Sequence, residues 1–278
     1  MSNYDIFTIN GKSGGSIKPL IVKEGEKMRI RFISHKIHLH GHEFKVAAID
    51  GQELNDPQDI KDLLVSIAPG ERYDSEFTAN NPGTRYLERH GNSDGTSGMK
   101  LAIQYEGKEE TVDKSDQQEI FRCYRTEAKS KFTLDQKYHL EYTKDLNTEM
   151  NNEGMVFTLN GKTFPSTDNI NVKKGDKVLV KLVNNSMMDD HPIYLHGHFF
   201  QVLSKNEKPV EGLPIIKDPI NLKPGDEYVV AFEADNPGNW LFHCHDLHHA
   251  SVGMINLLNY EGFNPPFTPD DSGGNKPE

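Results

Sequence analysis

The sequence predicts an all-β protein made of two tandem Greek-key β-sandwich domains. Three observations lead there. The chain repeats itself once, its apolar residues alternate with a period of two, and turn signals recur at short, regular intervals.

The repeat is legible by eye. Residues 6–12 match 156–162, 22–27 match 172–177, and 35–42 match 191–198. Further on, 68–71 match 223–226, 81–83 match 236–238, Gly98-Met99 matches Gly253-Met254, and 105–107 match 260–262. The order is kept, so a domain has been duplicated; a solenoid would need more copies. Within each copy, Lys27-Met28-Arg29-Ile30-Arg31-Phe32 and Lys177-Val178-Leu179-Val180-Lys181-Leu182 alternate as half-buried strands do. Glu24-Gly25, Pro69-Gly70 and Asn81-Pro82-Gly83, with their partners in the second copy, separate such runs as turns. Many short strands so spaced form a sandwich or barrel. The stretch 108–131 is polar, charged and without periodicity. The expected organisation is a first domain at 1–107, a linker at 108–131, a second domain at 132–263, and a Pro-, Gly- and Asp-rich tail at 264–278.

Composition narrows the function. A chain of 278 residues can bury two cores of ordinary size. The net charge of −11, with no Lys/Arg cluster, excludes a phosphate-binding surface, so no nucleic-acid partner is expected. No apolar run approaches the ~20 residues that span a bilayer, and no signal peptide opens the sequence. A soluble protein without a membrane partner is expected, its compartment left open. Of 13 histidines, 12 fall in four short segments: His35, His38, His40 and His42; His90; His191, His196 and His198; His243, His245, His248 and His249. Only His139 lies outside. Clustered imidazoles point to metal. Two cysteines, Cys123 and Cys244, would allow one disulfide, but Cys244 lies in the densest histidine cluster, where a thiolate ligand is the better use.

The segment from His243 to Met254 carries the chemistry. A blue-copper site needs one thiolate, two imidazoles and a weak axial thioether. Cys244, His249 and Met254 follow one another at intervals of five, around a strand end and the loop behind it. A fourth ligand must come from another strand, and His191 is the natural candidate. Strand alternation adds a second expectation: if Cys244 points into its own domain, His243 and His245 point the other way. The same alternation places Tyr194, His196 and His198 on one face. A row of imidazoles is thus expected one covalent step from the thiolate.

The two segments, His191-Pro192-Ile193-Tyr194-Leu195-His196-Gly197-His198 and His243-Cys244-His245 through Gly253-Met254, resemble motifs of the multicopper oxidases, the laccase-like family. The resemblance spans essentially the whole chain. It implies two cupredoxin-like domains, with type 1 copper held in the second by His191, Cys244, His249 and Met254. It implies His196, His243 and His245 at a type 3 copper pair within a trinuclear cluster. It further implies an enzyme that oxidises phenols, aromatic amines or metal ions one electron at a time at type 1 copper and reduces O2 at the cluster.

Two departures qualify this. Tyr194 stands where the family has a histidine ligand of type 2 copper; tyrosine is a poor neutral ligand, so loss of that site or phenolate binding are both open. In the first half, Glu88-Arg89-His90 replaces His243-Cys244-His245, and Asp94 replaces His249. Without a thiolate, that domain holds no type 1 copper. His38, His40 and His90 are either cluster ligands facing a partner domain, with Glu88 as a substitute oxygen ligand, or hydrogen-bonded leftovers. His35 is expected to be structural. His42, His198 and His248 are expected to support ligands or to lie exposed. Two architectures fit. One is a two-domain oxidase whose homotrimer builds the cluster between subunits; the other corresponds to the middle and last domains of a three-domain oxidase. The alternative function is an electron-transfer protein with type 1 copper and no competent oxygen site.

Overall fold

A computed structural model of the protein describes residues 7–33, 37–39, 41–57, 59–60, 63–65, 67–89, 98–108, 118–119, 130–151 and 154–264. It falls into two compact units, Met1–Tyr124 and Arg125–Glu278. Among the described residues, helix is confined to one 3-10 turn, Gly14–Ser16, and one short α-helix, Leu247–Ser251. No helix there is long and apolar enough to cross a membrane.

The first unit is a sandwich of two main sheets. One orders its strands Leu20–Val22, Lys100–Tyr105, Thr84–Arg89 and Ile37–Leu39; the other orders Lys27–Ile33, Arg72–Thr78, Phe44–Ile49 and Gln52–Glu53. The core lies between them: Phe32, Val46, Tyr73 and Phe77 from the second sheet meet Leu39, Leu87 and Ile103 from the first. Gln118–Glu119, inside the stretch expected to link the domains, pairs in parallel with Leu63–Leu64. A two-residue strand is too short to show a period, so nothing in the local sequence marks it.

The second unit repeats the plan. Its larger sheet orders Gly154–Leu159, Leu140–Asn151, Lys177–Asn184, Glu227–Glu233, Phe200–Lys205 and Lys208–Pro209, with Ile215–Lys217 also on Phe200–Lys205. Its smaller sheet orders Ile170–Val172, Ile255–Tyr260, Asn239–Cys244, His191–Leu195 and Ile220–Leu222. The repeat persists in register. Val22 pairs with Tyr105 as Val172 pairs with Tyr260, and Ile30 pairs with Ser75 as Val180 pairs with Val230. Even the bulge recurs, between Val46 and Ala48 and between Val202 and Ser204. The strand Leu140–Asn151 widens the larger sheet by pairing in parallel with Lys177–Asn184 and antiparallel with Gly154–Leu159.

His42 and His198 are not exposed: each is buried within its own unit. The Nε2 of His42 lies 2.6 Å from the Tyr105 hydroxyl, and that of His198 lies 2.7 Å from the Tyr260 hydroxyl. Each hydroxyl accepts a backbone N–H, from Asn81 and Asn236 respectively. Each asparagine side chain donates to the carbonyl of a left-handed glycine, Gly41 or Gly197. The matched His-Gly-His, Asn-Pro-Gly and Tyr-Glu-Gly signals are therefore one clasp, built twice. A Cβ on Gly197 would lie 2.8 Å from the Trp240 indole, so packing as well as backbone angle requires glycine there.

Candidate metal centre

Strand pairing positions the site. Ile193 lies opposite Cys244, Tyr194 opposite His243, and Leu195 opposite Phe242. Directly paired residues share a face. Ile193, Leu195, Phe242 and Cys244 therefore turn inward and are fully buried. Tyr194 and His243 turn to the other face, as alternation requires.

On the inner face, His191 opens its strand and Cys244 ends the neighbouring one. The chain then enters the helix Leu247–Ser251 where the sequence suggests only loop. Asp246 caps it by accepting the His248 N–H at 3.0 Å. This helix carries His249 back over the thiol. The three donor atoms converge: Cys244 Sγ lies 3.8 Å from His191 Nδ1 and 3.5 Å from His249 Nδ1, and the two Nδ1 atoms are 3.1 Å apart. A circle through them has a radius of about 2.0 Å, close to the ~2.0–2.3 Å of imidazole and thiolate bonds to a first-row metal. Met254 is fully buried in the same core. Its N–H donates to the His249 carbonyl and its carbonyl accepts from the Cys244 N–H, both at 3.1 Å.

The surroundings are buried and apolar. Phe157 stacks on the His249 ring at 3.9 Å between centroids and meets His191 edge-on. Burial, then the neighbouring His249, pushes His191 down to about 4; burial likewise lowers His249. Burial also pushes the Cys244 thiol well above its ordinary range. Two neutral imidazoles and a thiol that will ionise only beside a bound cation are a donor set for a soft metal, not for a hard one.

The far side of His191 is also engaged. Its Nε2 lies 2.8 Å from the Ser186 hydroxyl. Thr148 Oγ1 lies 3.1 Å from that hydroxyl and donates to Asp189 Oδ2 at 2.9 Å. Buried Asn184 pins the loop, accepting the Ser186 N–H and donating to the Asp189 and Leu222 carbonyls. Of these residues the sequence marks only the extra length between Val183 and His191.

The outer face gathers a second group. The ring centroids of Tyr194 lie 4.5 Å from His196, 5.5 Å from His245 and 6.2 Å from His243. The His196 and His243 rings stack, with Nε2 atoms 2.9 Å apart, and His245 lies 5.6 Å from His243. Burial lowers His196 and pushes His243 down to about 4. Tyr194 thus stands among the three expected cluster histidines. His248 packs edge-on against Phe157.

In the first unit the scaffold of the inner site persists with Arg89 in place of the cysteine. Arg89 N–H donates to the Met99 carbonyl as Cys244 does to Met254, and Gly14 N–H donates to Gly98 as Phe164 does to Gly253. The Arg89 guanidinium, at the cysteine position, sits 4.5 Å over the Phe7 ring, the repeat partner of Phe157. Glu88 is paired with Lys100 at 3.1 Å, which argues against a ligand role. Of the other first-half candidates, His38 is described only as backbone in Ile37–Leu39; His35, His40, His90, Asp94 and Cys123 lie outside the described residues.

Comparison with known proteins gives consistent matches. Two family models, both described as "Multicopper oxidase", match residues 1–108 and 131–261. Multicopper oxidase MmcO of Mycobacterium tuberculosis is 28% identical over 268 residues, covering 92% of this chain and 51% of its own length. Laccase-1 of Botryotinia fuckeliana is 28% identical, covering 83% of this chain and 48% of that protein. Among solved structures, the multicopper oxidase Fet3p superposes with a TM-score of 0.75 at 17% identity, over 88% of this chain and 57% of that one, a likeness of fold. The chain spans about half the length of the relatives it matches.

Proposed function

The chain belongs to the multicopper oxidase family, whose members are copper-dependent oxidoreductases, and we propose that it acts as a laccase-like oxidase. In this reading His191, Cys244, His249 and Met254 would hold a type 1 copper. Copper bound there would supply one-electron redox chemistry between a small reductant and O2. The observation that carries the reading is the buried triangle of two imidazole nitrogens and one thiol sulfur, closed to metal-bonding dimensions. The chain's own residues then do three things. Phe157 and the surrounding core keep water from the sulfur. The helix capped by Asp246 holds His249 at its angle. Cys244, with His243 and His245 on either side of it in the chain, joins the inner site covalently to the imidazoles of the outer face.

A head-to-tail homotrimer belongs to the same proposal. A closed ring of heterologous contacts would let His38, His40 and His90 of one chain meet His196, His243 and His245 of the next. The test is reconstitution with copper under reducing conditions, then oxidation. The reading expects an intense blue thiolate-to-copper band, lost in Cys244→Ser while the circular dichroism of the sandwiches is kept. Stoichiometric copper without that band would overturn the assignment. Tyr194 amid the outer histidines favours one second reading, a type 1 electron-transfer protein without an oxygen site. Several coppers per chain and oxygen uptake support the oxidase; a single copper and no uptake support the carrier.

A further inference from the structure

We propose that Ser186, Thr148 and Asp189 form a hydrogen-bonded relay that ties the His191 imidazole to a carboxylate and so lowers the electron affinity of the metal held by its other nitrogen. The inference rests on the type 1 copper reading of His191.

Proton counting fixes the direction of the relay. With His191 Nδ1, which faces Cys244 and His249, given to the metal of the type 1 reading, the ring proton of the neutral imidazole belongs on Nε2. Nε2–H then donates to Ser186 Oγ at 2.8 Å. Thr148 has one hydroxyl proton, and the Asp189 carboxylate can only accept, so Thr148 gives that proton to Oδ2 at 2.9 Å. The 3.1 Å contact between the two hydroxyls is left for the Ser186 proton to fill, donated to Thr148 Oγ1. The result is one unidirectional chain: imidazole, serine, threonine, carboxylate. Hydrogen bonds in sequence polarise one another, and a charged acceptor at the end strengthens each. Pulling on Nε2–H makes Nδ1 a better donor, which favours the more highly charged state of a bound metal.

Two further observations set this chain apart from incidental polar contacts. Ser186 and His191 are buried, where an unpaired hydroxyl or N–H would be costly, and Asn184, also fully buried, uses two side-chain bonds to hold the loop at Ser186 and Asp189 and a third to anchor it to the Leu222 carbonyl. That loop is the stretch between Val183 and His191, longer by about six residues than its counterpart in the first half, where Arg89 has replaced the thiol. The unit with the donor triangle has the relay; the unit without the triangle lacks the segment that supplies it.

The experiment compares Thr148→Val, Thr148→Ser and Asp189→Asn in the copper-loaded full chain by spectrophotometric redox titration of the blue band. Thr148→Val keeps the Asp189 charge in place and breaks the relay. We expect it to raise the midpoint potential, shifting the Cu(II)/Cu(I) ratio at fixed potential about tenfold, equivalent to 59 mV for one electron. Asp189→Asn should shift it the same way, and Thr148→Ser should restore the wild-type value. A shift in Asp189→Asn with none in Thr148→Val would mean that the carboxylate acts through space, and would overturn the relay. The metal-free protein gives an independent readout by 15N-resolved NMR. The His191 Nε2–H should exchange slowly with solvent in the wild type and at least tenfold faster in Thr148→Val. Unchanged exchange would also overturn the relay, whereas absence of the blue band in the wild type would refute the copper reading instead.

Discussion

Lys144 is buried in the strand Leu140–Asn151, only 3% exposed, with its ammonium donating to the Asp168 carbonyl at 2.9 Å. Burial pushes it down from 10.5 to about 8, against the attraction of Asp168. Between these values the unfolded chain holds the proton and the folded chain does not. Stability therefore rises with pH through that window, and the penalty is fully present below about 8. The shift corresponds to roughly 3 kcal/mol at neutral pH, at ~1.4 kcal/mol per unit. In Lys144→Met the penalty disappears, and the lost hydrogen bond costs about 1 kcal/mol. The Asp168 carbonyl is not orphaned, because Asn256 Nδ2 also donates to it at 2.6 Å. Lys144→Met should accordingly be about 2 kcal/mol more stable than the parent at pH 7. By pH 9.5 the parent recovers about 2 kcal/mol and the gap closes. Tyr138 and Tyr260, both pushed up to about 12 by burial, are common to the two chains and cancel. Urea unfolding of the second unit at both pH values, followed by Trp240 fluorescence, measures the gap. A gap that does not change with pH, or a less stable variant at pH 7, would refute the reasoning.

Two further changes test the packing. Ser75 Oγ is buried without a hydrogen-bond partner and lines a small apolar cavity with Ile30, Phe32, Phe44 and Phe77. Its repeat partner is the fully buried Val230, so Ser75→Val should stabilise the first unit by about 1–3 kcal/mol; a destabilised variant in differential scanning calorimetry would contradict this. Gly253 has φ +130°, and a Cβ there would lie 2.6 Å from Thr163 Cγ2 and 3.0 Å from the Phe157 carbonyl oxygen. Gly253→Ala should cost about 3–5 kcal/mol and weaken the blue band through displacement of Met254; a cost under about 1 kcal/mol in urea unfolding would show that the turn relaxes freely.

Local and repeated patterns were legible in the sequence. The period of two, the turn signals and the internal repeat together indicate an all-β pair of sandwiches, because alternation is a property of each strand by itself. The same alternation separates Cys244 from His243 and His245. It needs no knowledge of what lies across the sheet. The choice of His191, Cys244, His249 and Met254 as candidates came from residue type and spacing, which local sequence also carries.

Only the tertiary structure decided which atoms meet. Phe157 covers His249 across 92 positions of chain, and Thr148 reaches Asp189 across 41. Neither residue differs locally from an ordinary strand phenylalanine or threonine. His42 and His198 read as members of metal clusters by composition, yet they turn into the cores because tyrosines 63 and 62 positions away complete their hydrogen bonds. Arg89 marks a missing ligand in the sequence, but its place over Phe7 follows from a preserved backbone scaffold that the substitution leaves intact. The physical reason is the same throughout. Alternation and turn preference act between neighbours in the chain and are written there. The orientation of an imidazole is set by the partner at its far nitrogen, and that partner is chosen by how two sheets pack.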